Sequence, residues 1–461
     1  MLFTLKTIIA FIVALLILVS VHEYGHYLVA RFFNIKVLRF SIGFGKPFWT
    51  KKKGDTEWCL APIPLGGYVK MVDTREGEVS PEDLPYAFDK QHPAKRIAVV
   101  VAGPLTNLLL AIVFFAVAAL FGVVEIEPMV GTVVPNSVAE RAGIQENIRI
   151  NQIDGKEIKN FTDVGVELLL ALDKKQAVVI NATDANGKAV EYKIDTQKEK
   201  AAIDAMARGK ESIGIMPYRQ LPVLQGVLKD GAAGRAGLQD GDKIVAIDDE
   251  PMNSAQIITQ KIRQSANKPL SVQYERNGQV ATVVLTPDGV KEDANGLEVG
   301  KIGTYWAADE EWNNKIQNAY KPNIFQAASI GVKQTGEYSW LTLKFFGKML
   351  IGQASIKHIS GPGTIAEMAG KTVERGIQPY IAFLALVSLS LGVLNLMPIP
   401  VLDGGHFLYY AIEWVRGKPL SLAVQEFGVR LGIAALTLLM CIAFFNDFVR
   451  WFGWFVVGWV S

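Results

Sequence analysis

Two histidines and a glutamate near the N-terminus form the clearest chemical motif in the chain. His22, Glu23 and His26 fit the pattern H-E-x-x-H. On a helix, residues i and i+4 lie on one face, so both imidazoles can reach the same metal ion. Zinc suits imidazole and carboxylate ligands, and a catalytic zinc site keeps one position open for water. The motif therefore predicts that Glu23 takes the proton of a water activated by the metal.

A third protein ligand is expected at the end of a second apolar stretch. Asp403 is the only acid in the run 395–406. Pro398 and Pro400 should interrupt a helix there, and interrupted helices at membrane depth usually line a cavity or a site. We therefore predict Asp403 as the third ligand, with His406 as the competing candidate.

Uncharged apolar runs place both motifs next to membrane-spanning segments. The runs cover 7–21, 97–124, 376–402 and 431–446, and about 20 apolar residues span a bilayer as a helix. The first run is long enough only if its helix continues through H-E-x-x-H, where ionisable groups are costly and usually functional. A signal peptide is the alternative, but no small-residue cleavage site precedes His22. The expected fold class is a polytopic α-helical membrane protein with four transmembrane helices.

Composition agrees with that class. Half of the 461 residues are hydrophobic, 20% are charged and the formal net charge is +2, which predicts neither disorder nor a nucleic-acid partner. Cys59 and Cys441 lie too far apart in the sequence to suggest a disulfide framework. Twelve Lys and Arg residues in 31–96 predict that this segment and 404–430 are cytoplasmic. Both termini and 125–375 then lie on the opposite side.

The region between the second and third apolar runs contains an internal repeat. Residues 130–157 align with 224–251 at an offset of 94, with nine of 28 positions identical. Val- and Ile-rich runs alternate with turn residues, which predicts two small β-rich units with helices. Both units resemble bacterial, circularly permuted PDZ domains, and such domains bind extended peptides or chain ends at a sheet edge. The alternative is a pair of spacers or size filters that bind no defined peptide.

These patterns divide the chain into nine segments. The mixed stretch 325–356 is expected to lie on the outer membrane face, with packing of a helix on the core as the alternative. The tryptophans of the tail suit an interfacial anchor. The segments are transmembrane helix 1 at 1–33, a cytoplasmic, membrane-dipping β loop at 34–96, helix 2 at 97–124, PDZ-like units at 127–218 and 222–307, outer-face amphipathic helices at 320–375, helix 3 at 376–403, helix 4 at 427–447 and an aromatic tail at 448–461.

Together, H-E-x-x-H and the N-x-x-P-x-P-x-L-D-G-G of 395–405 resemble the site-2 protease family of intramembrane zinc metalloproteases. Residues 65–71 and 103–107 match further motifs of that family, and the order of segments resembles its bacterial members from end to end. The resemblance implies one zinc ion per chain and Glu23 as the general base. The zinc ligands that it implies are His22, His26 and Asp403.

The resemblance also implies that Asn395 helps to hold the substrate, with a helix-packing amide as the alternative. Residues 66–71 could form a β edge that replaces the hydrogen bonds of an unwound substrate helix, or a plain surface hairpin. The full set of predicted substrate-binding residues is Gly67, Tyr68, Val69, Lys70, Met71, Asn395, Pro398 and Pro400.

The predicted function is hydrolysis of a peptide bond in a single-pass protein of the bacterial inner membrane, on the cytoplasmic side. The resemblance implies substrates already trimmed by a site-1 protease, including an anti-sigma factor of the envelope stress response, and remnant signal peptides as a further class. The PDZ-like pair, in the periplasm, is expected to restrict entry. The rival classes are a membrane-bound scaffold with a vestigial metal site and a metal-dependent transporter. The transporter lacks support because the spans show no inverted repeat.

Overall fold

The computed structural model of this protein describes residues 2–172, 177–207, 212–291, 298–350 and 361–457. The chain forms two compact units. One unit combines Met1–Val123 with Lys321–Ser461, and the other is Val124–Tyr320. The inserted unit thus occupies the region in which the sequence repeat was found.

The first part of the chain contains two long apolar helices, α1 (Leu2–Phe32) and α2 (Pro93–Leu120). A small sheet lies between them in the sequence. Helix α2 begins four residues before the predicted 97, because Pro93 suits the first helical turn and His92 accepts a hydrogen bond from the Ala94 N–H. The strands between the helices are β1 (Val37–Phe44), β2 (Trp49–Lys53), β3 (Thr56–Leu60) and β4 (Ile63–Met71), followed by 3-10 turns at Leu84–Tyr86 and Phe88–Lys90.

The order of this sheet is β2-β3-β1-β4. Strand β1 pairs in parallel with β3 and antiparallel with β4. Among the described residues β4 has no second neighbour, so it is an edge strand whose outer backbone groups remain available. The segment 34–96, predicted as a β loop, forms this sheet.

The inserted unit contains two β-rich halves, each with its own apolar core. The first half has a sheet ordered β11-β10-β8-β6, and the second has one ordered β17-β16-β14-β13-β20. The strands are β5 (Val123–Ile126), β6 (Met129–Val130), β7 (Thr132–Val133), β8 (Ile148–Ile153), β9 (Lys156–Glu157), β10 (Val178–Thr183), β11 (Ala189–Ile194), β12 (Ile215–Met216), β13 (Gln220–Gln225), β14 (Lys243–Ile247), β15 (Glu250–Pro251), β16 (Leu270–Arg276), β17 (Gln279–Leu285), β18 (Asp288–Lys291), β19 (Glu298–Lys301), β20 (Tyr305–Ala308) and β21 (Gln317–Tyr320). The helices are α3 (Val138–Arg141), α4 (Phe161–Ala171), α5 (Lys200–Ala207), α6 (Ala232–Arg235), α7 (Ala255–Gln264) and α8 (Glu310–Lys315).

The sequence repeat is also a structural repeat. The four-residue helices α3 and α6 start 94 positions apart, at Val138 and Ala232, and α4 and α7 start at Phe161 and Ala255 with the same offset. Asn147 of the first half has φ 65°, and Gly241 of the second has φ 91°. Asparagine tolerates this left-handed backbone, so the turn survives the exchange of glycine for asparagine.

The last part of the chain is helical again. It consists of α9 (Ile324–Leu350), α10 (Pro362–Arg375), α11 (Ile377–Asn395), α12 (Asp403–Arg416) and α13 (Leu422–Val457). Among the described residues, four helices are long and apolar enough to cross a membrane: Leu5–Phe32, Pro93–Leu120, Ile377–Asn395 and Ala423–Phe448. These four spans fit a polytopic membrane protein. The predicted tail continues α13 to Val457, and Trp459 lies outside the described residues.

Helices α9 and α10 pack against two of the apolar helices. The Phe115 ring of α2 lies 5.8 Å from the Tyr338 ring of α9, and Gly370 of α10 leaves room for Thr7 of α1. Both helices therefore contact the helical bundle, which is the arrangement that the sequence left as an alternative for this region. An amphipathic pattern alone does not distinguish a lipid surface from the surface of a neighbouring helix.

Gly331 sets the distance between α9 and α2. A Cβ at this position would overlap the Ile112 carbonyl oxygen and lie 3.2 Å from Ala116 Cβ, whereas a Cβ at Gly336 would meet nothing within 4 Å. We expect Gly331→Ala to destabilise the chain by about 1–3 kcal/mol through overpacking. Gly336→Ala should be neutral or stabilising by up to about 1 kcal/mol. Thermal unfolding in detergent measures both, and equal midpoints for the two variants would contradict this packing.

Candidate active site

Helix α1 packs closely against α2 at the H-E-x-x-H residues. Gly25 of α1 faces Ala102 and Thr106 of α2 so closely that a Cβ would overlap them. A Cβ at Gly103 of α2 would likewise overlap the imidazole of His26. Small residues allow membrane helices to approach in this way. Within the G-P-L-T-N stretch, Gly103 and Thr106 therefore make the close contacts with α1.

The side chains of His22, His26 and Asp403 offer three ligand atoms within 4.8 Å of one another. The Nε2 atom of His22 lies 3.2 Å from Asp403 Oδ2 and 3.3 Å from His26 Nε2. The third side of the triangle, from His26 Nε2 to Asp403 Oδ2, measures 3.6 Å. Ligands of a tetrahedral zinc ion with bonds of about 2.0–2.1 Å lie about 3.4 Å apart. The three side chains therefore fit the separation that zinc requires.

The hydrogen bond of the second ring nitrogen of His26 also fits metal binding through Nε2. Its Nδ1 lies 2.8 Å from the Val99 carbonyl oxygen in a buried hydrogen bond. A carbonyl can only accept, so Nδ1 carries the proton and Nε2 presents its lone pair towards Asp403 and His22. Metal-binding histidines usually use their other nitrogen in this way.

Asp403 lies at the end of a non-helical segment that joins two helices. Helix α11 ends at Asn395 and α12 begins at Asp403, so the carboxylate sits in the first turn of α12, where the helix dipole favours negative charge. Gly404 and Gly405 follow, and a Cβ at either would overlap the backbone of 396–400. The L-D-G-G sequence therefore folds tightly against the break that carries Pro398 and Pro400.

A salt bridge fixes α12 to α2. Arg96 Nη2 donates to Glu413 Oε1 over 2.6 Å, with side-chain exposures of 6% and 18%. The Arg96 guanidinium also lies 4.7 Å from the centre of the Tyr410 ring. Buried charges are stable only when paired in this way. This pair holds the helix that carries Asp403 against the helix that contacts His26.

A cavity of about 370 Å³ opens at the three candidate ligands. Glu23 lines it, as does the predicted β edge. Gly67 approaches α1 closely, because a Cβ there would lie 2.9 Å from Glu23 Cγ of α1 and 2.7 Å from the Ser41 carbonyl oxygen of β1. The members of β4 that line the cavity are Gly67, Tyr68, Val69, Lys70 and Met71.

His406, the competing candidate, lines the same cavity but does not belong to the group of three ligand atoms. Its ring stacks on Tyr410, with centres 6.3 Å apart. Burial lowers the pKa of His406 below its ordinary value, although the charge of Asp403 opposes this shift. The structure therefore places Asp403, rather than His406, beside the two imidazoles.

The predicted substrate-binding residues Asn395, Pro398 and Pro400 do not line this cavity. They lie at the break between α11 and α12, where Pro400 contacts Gly428 and Gly432 of α13. Conversely, the cavity includes Arg75 and Tyr410, for which the sequence gave no signal. Asn107 contacts His22 from α2. It lies in the G-P-L-T-N stretch, which could have pointed to it.

Comparison with known proteins identifies the family of this chain. The model of peptidase family M50 matches residues 10–439. The chain is 50% identical over 449 residues to a protein of Neisseria meningitidis serogroup A named as a zinc metalloprotease, covering 97% of this chain and all of that protein.

Two further relatives carry the name regulator of sigma-E protease RseP. The protein of Salmonella typhimurium is 38% identical over 455 residues, which is 98% of this chain and all of the relative. The protein of Escherichia coli K12 is 37% identical over 451 residues, or 96% of this chain and 98% of the relative. With a family match of this length and relatives of this identity, the chain belongs to peptidase family M50 and is a metalloendopeptidase.

Proposed function

We propose that this protein is an intramembrane zinc protease that cleaves single-pass membrane proteins. The observation that carries the proposal is the triangle of ligand atoms from His22, His26 and Asp403, which opens onto one cavity together with Glu23 and the edge strand β4. The relatives named as zinc metalloproteases support the choice of metal.

His22, His26 and Asp403 would hold one zinc ion per chain. When bound, zinc polarises a carbonyl group and makes water more acidic. Glu23 follows His22 directly and lines the cavity, so its carboxylate can take the proton of the attacking water. It then returns this proton to the leaving amide nitrogen, as a general base that becomes a general acid.

Strand β4 would hold the substrate. A transmembrane helix satisfies its own backbone hydrogen bonds, and its peptide bonds become accessible only after local unwinding. The outer edge of β4 can replace those bonds by β-strand addition. Asn395, Pro398 and Pro400 belong to the same proposal as contacts to the substrate outside the cavity, at the break after α11.

The names of two relatives support one class of natural substrate. Two of them are named as regulators of sigma-E, so we propose a membrane anti-sigma factor, already trimmed by another protease, as one substrate, and remnant signal peptides as a further class. The Lys and Arg residues of 31–96 favour an inner-membrane orientation with the active site towards the cytoplasm. The two β-rich halves of Val124–Tyr320 then lie in the periplasm, where they act as PDZ-like units that bind peptides or filter substrates by size.

Replacing Glu23 with Gln tests the chemistry directly. We expect cleavage of a tagged single-span substrate by purified protein in detergent to fall about 100-fold or more, because the amide cannot accept the proton. Zinc content should stay near one per chain, since Glu23 is not a proposed ligand. Equal cleavage by wild type and Glu23→Gln would point to a contaminating protease, whereas no cleavage by either protein would favour a scaffold with a vestigial metal site.

Gly103 tests the geometry of the metal site without changing a ligand. A Cβ at this position would overlap the His26 imidazole, so Gly103→Ala should lower bound zinc and cleavage together. Gly336→Ala serves as the matched control, because its Cβ meets nothing within 4 Å. Full zinc occupancy in Gly103→Ala, measured by metal analysis, would contradict the expectation that this overlap disturbs the metal site.

Gly67 tests the role of the edge strand. Gly67→Ala should push β4 away from Glu23 and Ser41 and reduce kcat for the single-span substrate about 10-fold or more, since small displacements of a bound substrate are costly. Zinc binding should persist, in contrast to Gly103→Ala. Lys52→Ala, on the exposed strand β2 of the same sheet, is the control. Equal kcat values for the two variants would argue against substrate binding along β4.

A further inference from the structure

Asn107 of α2 is a fully buried amide whose polar atoms are only partly satisfied. Its exposed fraction is 0%. The side-chain nitrogen lies 3.3 Å from His22 Nδ1, while Oδ1 has no hydrogen-bond partner among the described residues. The backbone carbonyl of Asn107 accepts a 2.7 Å bond from Ser388 Oγ. A buried amide with an unpaired atom costs free energy, so its place beside a candidate ligand calls for a physical reason.

The two candidate histidine ligands have different partners for their second nitrogen. His26 donates from Nδ1 to the Val99 carbonyl oxygen. The side chain next to Nδ1 of His22 is Asn107. If the Nε2 atom of His22 binds a metal, its Nδ1 must carry the proton and needs an acceptor.

The Asn107 side chain can provide that acceptor, its Oδ1 atom, if its amide group is rotated by half a turn. Rotation of an amide by half a turn exchanges its oxygen and its NH2 group at nearly the same positions. With the NH2 group towards a protonated Nδ1, two donors would face each other at 3.3 Å. With Oδ1 there, the contact becomes a hydrogen bond. Oδ1 has no hydrogen-bond partner among the described residues, so turning the amide over breaks no hydrogen bond that this oxygen makes.

Charge explains why an amide suits this place better than a carboxylate. Four acidic and two basic residues already line this cavity: Glu23, Asp73, Glu76, Asp403, Lys70 and Arg75. A carboxylate in place of the Asn107 amide would add a further buried negative charge. An amide oxygen can accept a hydrogen bond from the Nδ1–H of His22 without adding a negative charge.

We propose that Asn107 is a positioning residue that accepts a hydrogen bond from Nδ1 of His22. This bond fixes the tautomer and the ring orientation that present Nε2 to zinc, and it thereby raises zinc affinity. The inference rests on the proposed function, because it requires a metal ion at His22.

The test compares Asn107→Ala with Asn107→Asp in the full-length protein in detergent. The readout is the Kd for zinc, measured by competition with a chromophoric chelator. Loss of an outer partner of this kind usually costs 10- to 100-fold in metal affinity, so we expect that weakening for Asn107→Ala. Asn107→Asp keeps the acceptor and should bind zinc at least 10-fold more tightly than Asn107→Ala. Ser388→Ala removes the neighbouring hydrogen bond to the same residue and should stay within threefold of wild type.

The order of the affinities separates positioning from packing. If Asn107 only packed α2 against its neighbours, the buried charge of Asn107→Asp would be the more damaging change, and the Kd of Asn107→Ala would stay near wild type. Either result overturns the proposal. If Asn107→Ala does not fold, Asn107→Leu, which fills the space without an acceptor, takes its place in the comparison. A wild-type chain that binds no zinc would instead refute the proposed function.

Discussion

Placing two imidazoles and two carboxylates inside an apolar helical bundle is the constraint on which the rest of the membrane unit depends. Each of these groups loses water, and each must find a partner within the protein. His26 finds the Val99 carbonyl, and Asp403 lies within 3.6 Å of both imidazoles. The cluster is therefore compatible with the bundle only while α1, α2 and the start of α12 stay in close contact.

Glycine makes that contact possible at several points. Gly25 and Gly103 let α1 and α2 approach, and Gly404 and Gly405 let α12 begin tightly against the preceding break. Each of these positions lacks room for a methyl group. Between α2 and α12, the salt bridge of Arg96 with Glu413 holds the helices together. Close packing and charge pairing thus act on the same three helices.

Much of the site could be predicted from the sequence because its chemistry is local. H-E-x-x-H is read within five residues, and Asp403 was singled out because no other acid lies in its stretch. The contacts that complete the site join distant segments, and a motif does not show which of its residues meets which distant partner. Asn107 meets His22 across 85 positions. Hydropathy gives the length of a helix but not its rotation about its axis, so it cannot tell which residues of α2 face α1.

The sequence also reveals some parts of the larger architecture and not others. The repeat with an offset of 94 appeared in the sequence and reappears in the starts of α3, α4, α6 and α7. The docking of α9 on α2 depends on the absence of one methyl group at Gly331, which no periodicity reveals. Counting uncharged residues extends the third apolar segment to residue 402, but α11 ends at Asn395. The stretch 396–402 is apolar, yet Pro398 and Pro400 exclude a regular helix there.

The one-sided pairing of β4 has a consequence for how a bound segment would be selected. A strand edge interacts with the backbone of its partner, which is the same for every residue type except proline. Discrimination among segments would then come from the free energy needed to leave the helical state. Glycine and proline have the lowest helix propensities, so segments that contain them would need the least free energy to leave the helical state. A protein of this design would rank segments by the weakness of their helices rather than by a sequence of side chains.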